Sequence, residues 1–228
     1  MENFLQKRTL TIYWIVLFLS AVSLYFAPQY SILTEPLLVP LLLLYMVLKD
    51  SNIGKPAGKL VFYVGMFLAF LGDVLQVVIN NEIFFISSLV AFMLMNICYS
   101  ISFFTLHKDG FRKPLYFLTG CILFFLAAYL FMYFLGDKLG DYKMPIVIYI
   151  FTLCAMISLA ANLTGSERYR KIALKWLLPG VLIFMVQNII LAINLFQLGG
   201  ESKWYVFSII PYGVAQYMIV RGMRKVYG

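Results

Sequence analysis

Residues Leu60–Ile79 read LVFYVGMFLAFLGDVLQVVI. The stretch is apolar almost throughout and carries one acid, Asp73, directly after Gly72. At ~1.5 Å per residue, a helix of about twenty residues crosses a ~30 Å hydrocarbon core. A carboxylate at that depth costs several kcal/mol if it is ionised and unpaired, so the side chain must face protein or water rather than lipid. The first property sets the fold class. The second is where the search for function begins.

Composition extends the first point to the whole chain. The 228 residues are 63% hydrophobic and 12% charged, with a mean hydropathy of +0.89. A soluble domain cannot bury so large an apolar share, so lipid must be the solvent for most of it. A net charge of +8 would suit a nucleic-acid binder. The basic residues lie between the apolar runs, however, where the positive-inside rule places them, and a nucleic-acid partner is excluded. Without low-complexity segments or long linkers, residues 1–228 read as a single transmembrane domain. Cys98, Cys121 and Cys154 all fall in apolar runs without a CxxC pattern, as small core residues do. The one histidine, His107, lies in the polar segment LHKDGFRK. That excludes a His-cluster metal site and argues against an embedded Ser-His-Asp triad.

The hydropathy pattern predicts an all-α polytopic membrane protein with eight spans: Leu10–Phe26, Ser31–Leu48, Leu60–Ile79, Ile83–Thr105, Leu115–Leu135, Met144–Ala161, Ala173–Leu195 and Lys203–Val220. Pro36 and Pro40 predict a kink near the start of the second. With alternate connections assigned to one side, every one of the 18 Lys and Arg residues except Lys138, Lys143 and Lys203 falls on that side. Both termini are therefore expected in the cytoplasm. In a bacterium the membrane would be the cytoplasmic one. Lys7-Arg8 before an apolar run resembles a signal peptide, but the run is long for one and is read as an uncleaved first helix. Gly65 precedes Gly72-Asp73 as Gly180 precedes Gln187-Asn188. This short echo would suit two parallel four-helix halves.

Few polar groups interrupt the spans. Glu35 and Asp73 are their only acids. In the expected orientation Asp73 lies roughly 9 Å from the outer end of its span, Asn188 lies at a similar depth, and Glu35 enters from the same side. Gln76 shares a helix face with Asp73. Asn96, Tyr99 and Ser100 form a second stripe, and Tyr212 and Gln216 a third on the last span. Asn96 and Gln216 could equally serve only to bond neighbouring helices, and Glu35 could sit among the headgroups. Asp73 has no basic residue at its depth and is the functional candidate. Trp14, Trp176, Trp204 and most tyrosines near span ends read as interfacial anchors.

Three stretches carry a family resemblance: GMFLAFLGDVLQ; SSLVAFMLMNICYSISFF; and GVLIFMVQNIILAINLF followed by PYGVAQYMIV. In order and spacing, from about Glu35 to Gly222, they resemble the YhhN family of polytopic membrane proteins, whose characterised members are lysoplasmalogenases. Asp73, Tyr99, Tyr212 and Gln216 fit the family pattern. Asn96 stands where a histidine is usual, Gln187-Asn188 where Ser-Asp is usual, and Glu35-Pro36 where Lys-Pro is common.

The resemblance implies a cofactor-free hydrolase that cleaves the vinyl ether of a lysoplasmalogen to a fatty aldehyde and a glycerophospho-headgroup. That chemistry needs a carboxylic acid to protonate the vinyl carbon. It gains from a second carboxylate that stabilises the oxocarbenium ion and activates water. Asp73 is the expected acid, and Glu35 the only residue able to replace the carboxyl missing at Asn188. Gln76, Asn96, Tyr99, Gln187, Asn188, Tyr212 and Gln216 would bind the single-chain phospholipid. The substitutions at Asn96 and Asn188 equally suit a relative that binds such a lipid without cleaving it. A proton-coupled small-molecule transporter using Asp73 is the third class.

Overall fold

A computed structural model describes residues 2–48, 57–77, 82–107 and 114–227. Residues 78–79 of the stretch quoted first lie outside them, as do Lys49, Lys55, Lys108, Arg112 and Lys113 of the charge pattern. The described residues are mostly helical and contain no strand. In chain order the helical segments are α1 (Glu2–Phe26), α2 (Pro28–Val47), α3 (Ala57–Gln76), α4 (Glu82–Phe104), α5 (Pro114–Leu135), α6 (Lys143–Leu163), α7 (Arg170–Gln197) and α8 (Ser202–Tyr227). Among the described residues, six segments are long and apolar enough to cross a membrane: α1, α2, α3, α4, α6 with the turn before it, and α7. The chain is an integral membrane protein. In α8, Pro211, Tyr212, Gln216 and Tyr217 dilute the hydropathy, and the last three are buried, so the helix turns its polar face into the bundle.

The kink expected in α2 is present. Ser31–Thr34 forms a single α-turn, Glu35–Leu37 a 3-10 turn, and a regular helix resumes at Leu38. Pro36 lacks the N–H and forces the break, whereas Pro40 lies in the first turn of the new helix, where a proline is tolerated. The break sets the Glu35–Leu37 turn against α3 and buries Glu35.

The α3–α4 hairpin is built on glycine. Gly58, Gly65 and Gly72 recur every seventh residue and so share one face. A Cβ at these positions would lie 2.0 Å from Thr105 Oγ1, 2.8 Å from the Tyr99 ring and 2.8 Å from the Phe92 ring. The side chains of α4 therefore rest on the bare backbone of α3, as membrane helices that lack a hydrophobic drive to associate commonly arrange. The same face carries Asp73 inward beside Gly72.

A second glycine-lined contact joins α7 to α8. A Cβ on Gly180 would lie 3.0 Å from Ile219, and one on Gly222 would lie 2.4 Å from Leu177. Residues Ala173–Leu177 widen into a π-turn just before Pro179. A proline ring clashes with the carbonyl four residues back, and the wider turn relieves that clash. Gly65 and Gly180, paired in the sequence echo, thus both lie where the following helix crosses closely. α1 closes the bundle by packing on α8 and α2. Its Tyr13 is fully buried and donates to the Gly213 carbonyl at 2.6 Å.

Candidate functional site

A cavity opens at the end of the bundle where α3 ends and α4 and α8 begin. It encloses about 650 Å³, counting the part open to the outside. Glu35 of α2, Asp73 and Gln76 of α3, Gln187 and Asn188 of α7, and Tyr212 of α8 all line it. Six of the nine residues singled out from the sequence are therefore gathered from four segments that are distant in the chain. Each arrives there for a local reason: the proline break for Glu35, the glycine face for Asp73, and the inward polar face of α8 for Tyr212.

The polar groups are unequally paired. Tyr212 donates to Asp73 Oδ1 at 2.6 Å, while Asp73 Oδ2, also buried, has no hydrogen-bond partner. Gln187 Oε1 is buried without a partner as well. Gln76 donates to the Tyr205 hydroxyl, and Ser31 bonds Glu35. Asn188 is engaged at both ends. Its Oδ1 accepts from Tyr149 at 2.7 Å, and its Nδ2 donates to the Phe184 carbonyl at 2.7 Å. The rings of Phe92 and Phe184 lie 6.4 and 6.2 Å from that of Tyr212 and fix it from two sides. The site thus holds two buried carboxyls. One is anchored through a single oxygen, leaving the other oxygen buried and unpartnered.

Asn96, Tyr99 and Gln216 are not among the lining residues. Each is buried further along its helix: Asn96 one turn beyond Phe92, and Gln216 one turn beyond Tyr212. Tyr99 donates to Gln216 Oε1 at 3.2 Å, and Gln216 Nε2 points at Met95 Sδ at 3.5 Å. Asn96 Nδ2 lies 3.5 Å from Thr152 Oγ1. These residues tie α4 to α8 and α6 beneath the cavity. Their contact is with neighbouring helices, because helical spacing fixes the face a residue occupies but not its distance from the cavity mouth.

Sequence reasoning missed Tyr149, Tyr205, Ser88 and Ser208. Tyr205, Ser208 and Tyr212 fall at i, i+3 and i+7 on α8, a spacing that puts all three on one face. That spacing was the available signal for Tyr205. Tyr149 had none beyond its place in an apolar run. Among the described residues, no group of three or more His, Cys, Asp or Glu side chains is placed to hold a metal ion.

A family model, that of the YhhN family, matches residues 30–223, and the chain belongs to that family. No curated protein and no solved structure matches it.

Proposed function

We propose that this YhhN-family protein is an integral membrane hydrolase of the lysoplasmalogenase type, with eight spans, both termini in the cytoplasm and the cavity at the outer end. The supporting observation is the cavity itself, in which Asp73 and Glu35 line one wall system and Asp73 Oδ2 is unpartnered. With Oδ1 occupied by Tyr212, the proton of the neutral acid resides on Oδ2. From there it passes to the vinyl carbon remote from the ether oxygen. The positive charge then spreads over the adjacent carbon and the oxygen, where a carboxylate stabilises it. Water adds to that carbon and gives up a proton to a carboxylate, either Asp73 or Glu35. The hemiacetal collapses to a fatty aldehyde and the glycerophospho alcohol. No metal or organic cofactor enters this scheme.

One observation favours a second reading, that of a lipid-binding protein without hydrolytic chemistry. Asn188 stands where the family resemblance places an acid, is uncharged, and has both ends of its amide engaged by Tyr149 and Phe184.

The deciding experiment measures aldehyde release from lysoplasmenyl-ethanolamine by the purified protein in detergent, beside Asp73→Asn. The hydrolase reading expects release that falls by at least ~10²-fold in the variant. No release, with the lipid still raising the thermal midpoint, selects the second reading. Neither release nor stabilisation removes both.

A further inference from the structure

The polar cavity does not end at Asn188. A second chamber of about 700 Å³, again counting space open to the outside, adjoins it between α4, α5, α6 and α7. The two chambers share Phe85, Leu89, Tyr149, Asn188, Leu191 and Leu195 as wall. Outside that shared wall the described lining is hydrocarbon, aromatic and the Met185 thioether. Among the described residues the polar side chains of the chamber are Tyr149 and Asn188 in the wall, which are bonded to each other. Met185 and Phe196 mark its extent on α7. Asn188 of the shared wall lies between them, three residues from Met185 and eight from Phe196, so about one turn of the chamber lies deeper than Asn188 and about two turns lie toward the outer end. On the bilayer side the chamber is closed by α5, which packs on α6 but touches α7 at few points.

Resting on the reading of the polar cavity as a single-chain lipid site, we infer that the apolar chamber holds the lipid's hydrocarbon chain. The junction of head and chain lies at the Tyr149–Asn188 neck, beside Asp73. The far end, formed by Ala128, Leu153 and Met185, sets the chain length accepted. On α5, α6 and α7 these are the lining residues deepest in the bundle, with Leu153 and Met185 about one turn past the neck. A lipid whose head faces outward points its chain that way. The bilayer is as apolar as the chamber, so the chamber adds little affinity relative to lipid. Its effect is alignment. A chain that reaches the far end too early must back out and carry the head–chain junction away from Asp73 Oδ2. Filling the far end therefore shifts preference toward shorter chains.

The test uses saturated 1-alkyl ether lysophosphocholines of graded chain length, which have no vinyl group to cleave. Thermal-midpoint shifts of the full protein in detergent are compared with those of Ala128→Trp. The wild type should show a length optimum, and the variant should move it to shorter chains, losing at least fivefold in apparent affinity for the longest while keeping the shortest. Equal shifts at all lengths in the wild type, or uniform weakening in the variant, would overturn the chamber's role. Should the variant not fold, the wild type is labelled with a lysophosphocholine carrying a diazirine at the chain end. Labelling at Ala128, Leu153 or Met185 supports the inference, whereas labelling only at the outward-facing Phe125, Tyr129 and Phe151 refutes it. These lipids are not substrates, so failure to release aldehyde from a plasmalogen does not bear on the result. Length-independent binding alongside aldehyde release removes the chamber alone, and no binding at any length removes the lipid reading with it.

Discussion

The Tyr212 hydroxyl lies 2.6 Å from Asp73 Oδ1 and donates to it, although the two residues are 139 positions apart in the chain. The bond orients a carboxyl whose other oxygen is buried without a partner. Tyr212 itself is held between Phe92 and Phe184. Tyr212→Phe keeps the ring and its packing and removes only the donor. A hydrogen bond to a charged group contributes about 1.5–3 kcal/mol, and Asp73 gains that charge as it gives up its proton. If Tyr212 positions the acid, kcat for aldehyde release should fall by roughly 10- to 10²-fold with KM nearly unchanged. A rise in KM with kcat intact would instead mark Tyr212 as a lipid contact.

Asn188 invites a restoration experiment, and the structure argues that it will fail. In Asn188→Asp the carboxyl still accepts from Tyr149, but the oxygen that replaces Nδ2 meets the Phe184 carbonyl, now 2.7 Å from the amide nitrogen. Two acceptors at that distance repel, and leaving a buried acceptor unsatisfied costs ~1–3 kcal/mol. The thermal midpoint should drop by several degrees, and aldehyde release should not rise. A variant as stable as the wild type and several-fold faster would show that the missing acid had been limiting the reaction.

What the sequence could and could not disclose follows from the geometry of helices. The apolar runs and the break at Pro36 were legible, since both are properties of the local chain. So was the inward face of Asp73, because a carboxyl in an apolar span has few other places to go. Tyr149 was not, and Tyr205 was marked only by its spacing from Ser208 and Tyr212. A tyrosine near a span end has the same one-dimensional signature whether it anchors to the interface or, as here, bonds Asn188 or Gln76 across the cavity. Asn96 and Gln216 show the reverse: correct spacing for the inward face, but one turn too far along the helix to line the cavity. The glycine ladder was half visible, as Gly65 and Gly72. Its meaning depends on Tyr99 and Phe92 of α4 lying opposite, which no single-helix pattern contains.

That ladder yields a prediction about stability. Gly65→Ala puts a Cβ 2.8 Å from the Tyr99 ring and 3.0 Å from Cys98 Cβ, so the hairpin must open or Tyr99 must move. Overpacking of this kind costs ~1–3 kcal/mol. Because Tyr99 also bonds Gln216, the shift should reach α8. Gly136→Ala is the control, since its nearest neighbour, Met132 Cε, is 3.7 Å away. Thermal unfolding in detergent should show a clear loss for Gly65→Ala and almost none for Gly136→Ala. Equal midpoints would mean that the α3–α4 crossing is looser than described.

His107, at the end of α4, allows a pH prediction at one assigned site because the chain has no other histidine. Burial lowers its pKa from the ordinary 6.5, working against the Phe103 carbonyl 3.0 Å from Nδ1, which favours the protonated ring. A histidine whose folded pKa is depressed contributes stability that is complete above the unfolded value. That stability is lost as pH falls through the folded one. The Cε1–H resonance of labelled histidine, followed by NMR in detergent, should titrate below 6.5, and unfolding should become easier on acidification through that range. A midpoint at or above 6.5 would place the ring in water.

The charge pattern of the cavity makes a final prediction, about the lipid head. Among the described residues its ionisable lining is Glu35, Asp73 and three tyrosines, with neither lysine nor arginine. Lys203, near the start of α8, pairs with Glu201 at 2.8 Å. A phosphate drawn inside would meet the Glu35 carboxylate with no cation among the described lining residues to offset it, and like charges at close range in a poorly solvated site discriminate strongly. The ammonium of an ethanolamine or choline head instead finds Glu35. At matched chain length, lysolipids with a zwitterionic head should therefore bind at least tenfold more tightly than those with a glycerol or bare phosphate head, as read from thermal-midpoint titrations. Glu35→Gln should narrow the gap by weakening the zwitterionic lipids more than the anionic ones. An unchanged ratio in that variant would mean that the head lies outside the cavity and that Glu35 acts on the chain side of the phosphate.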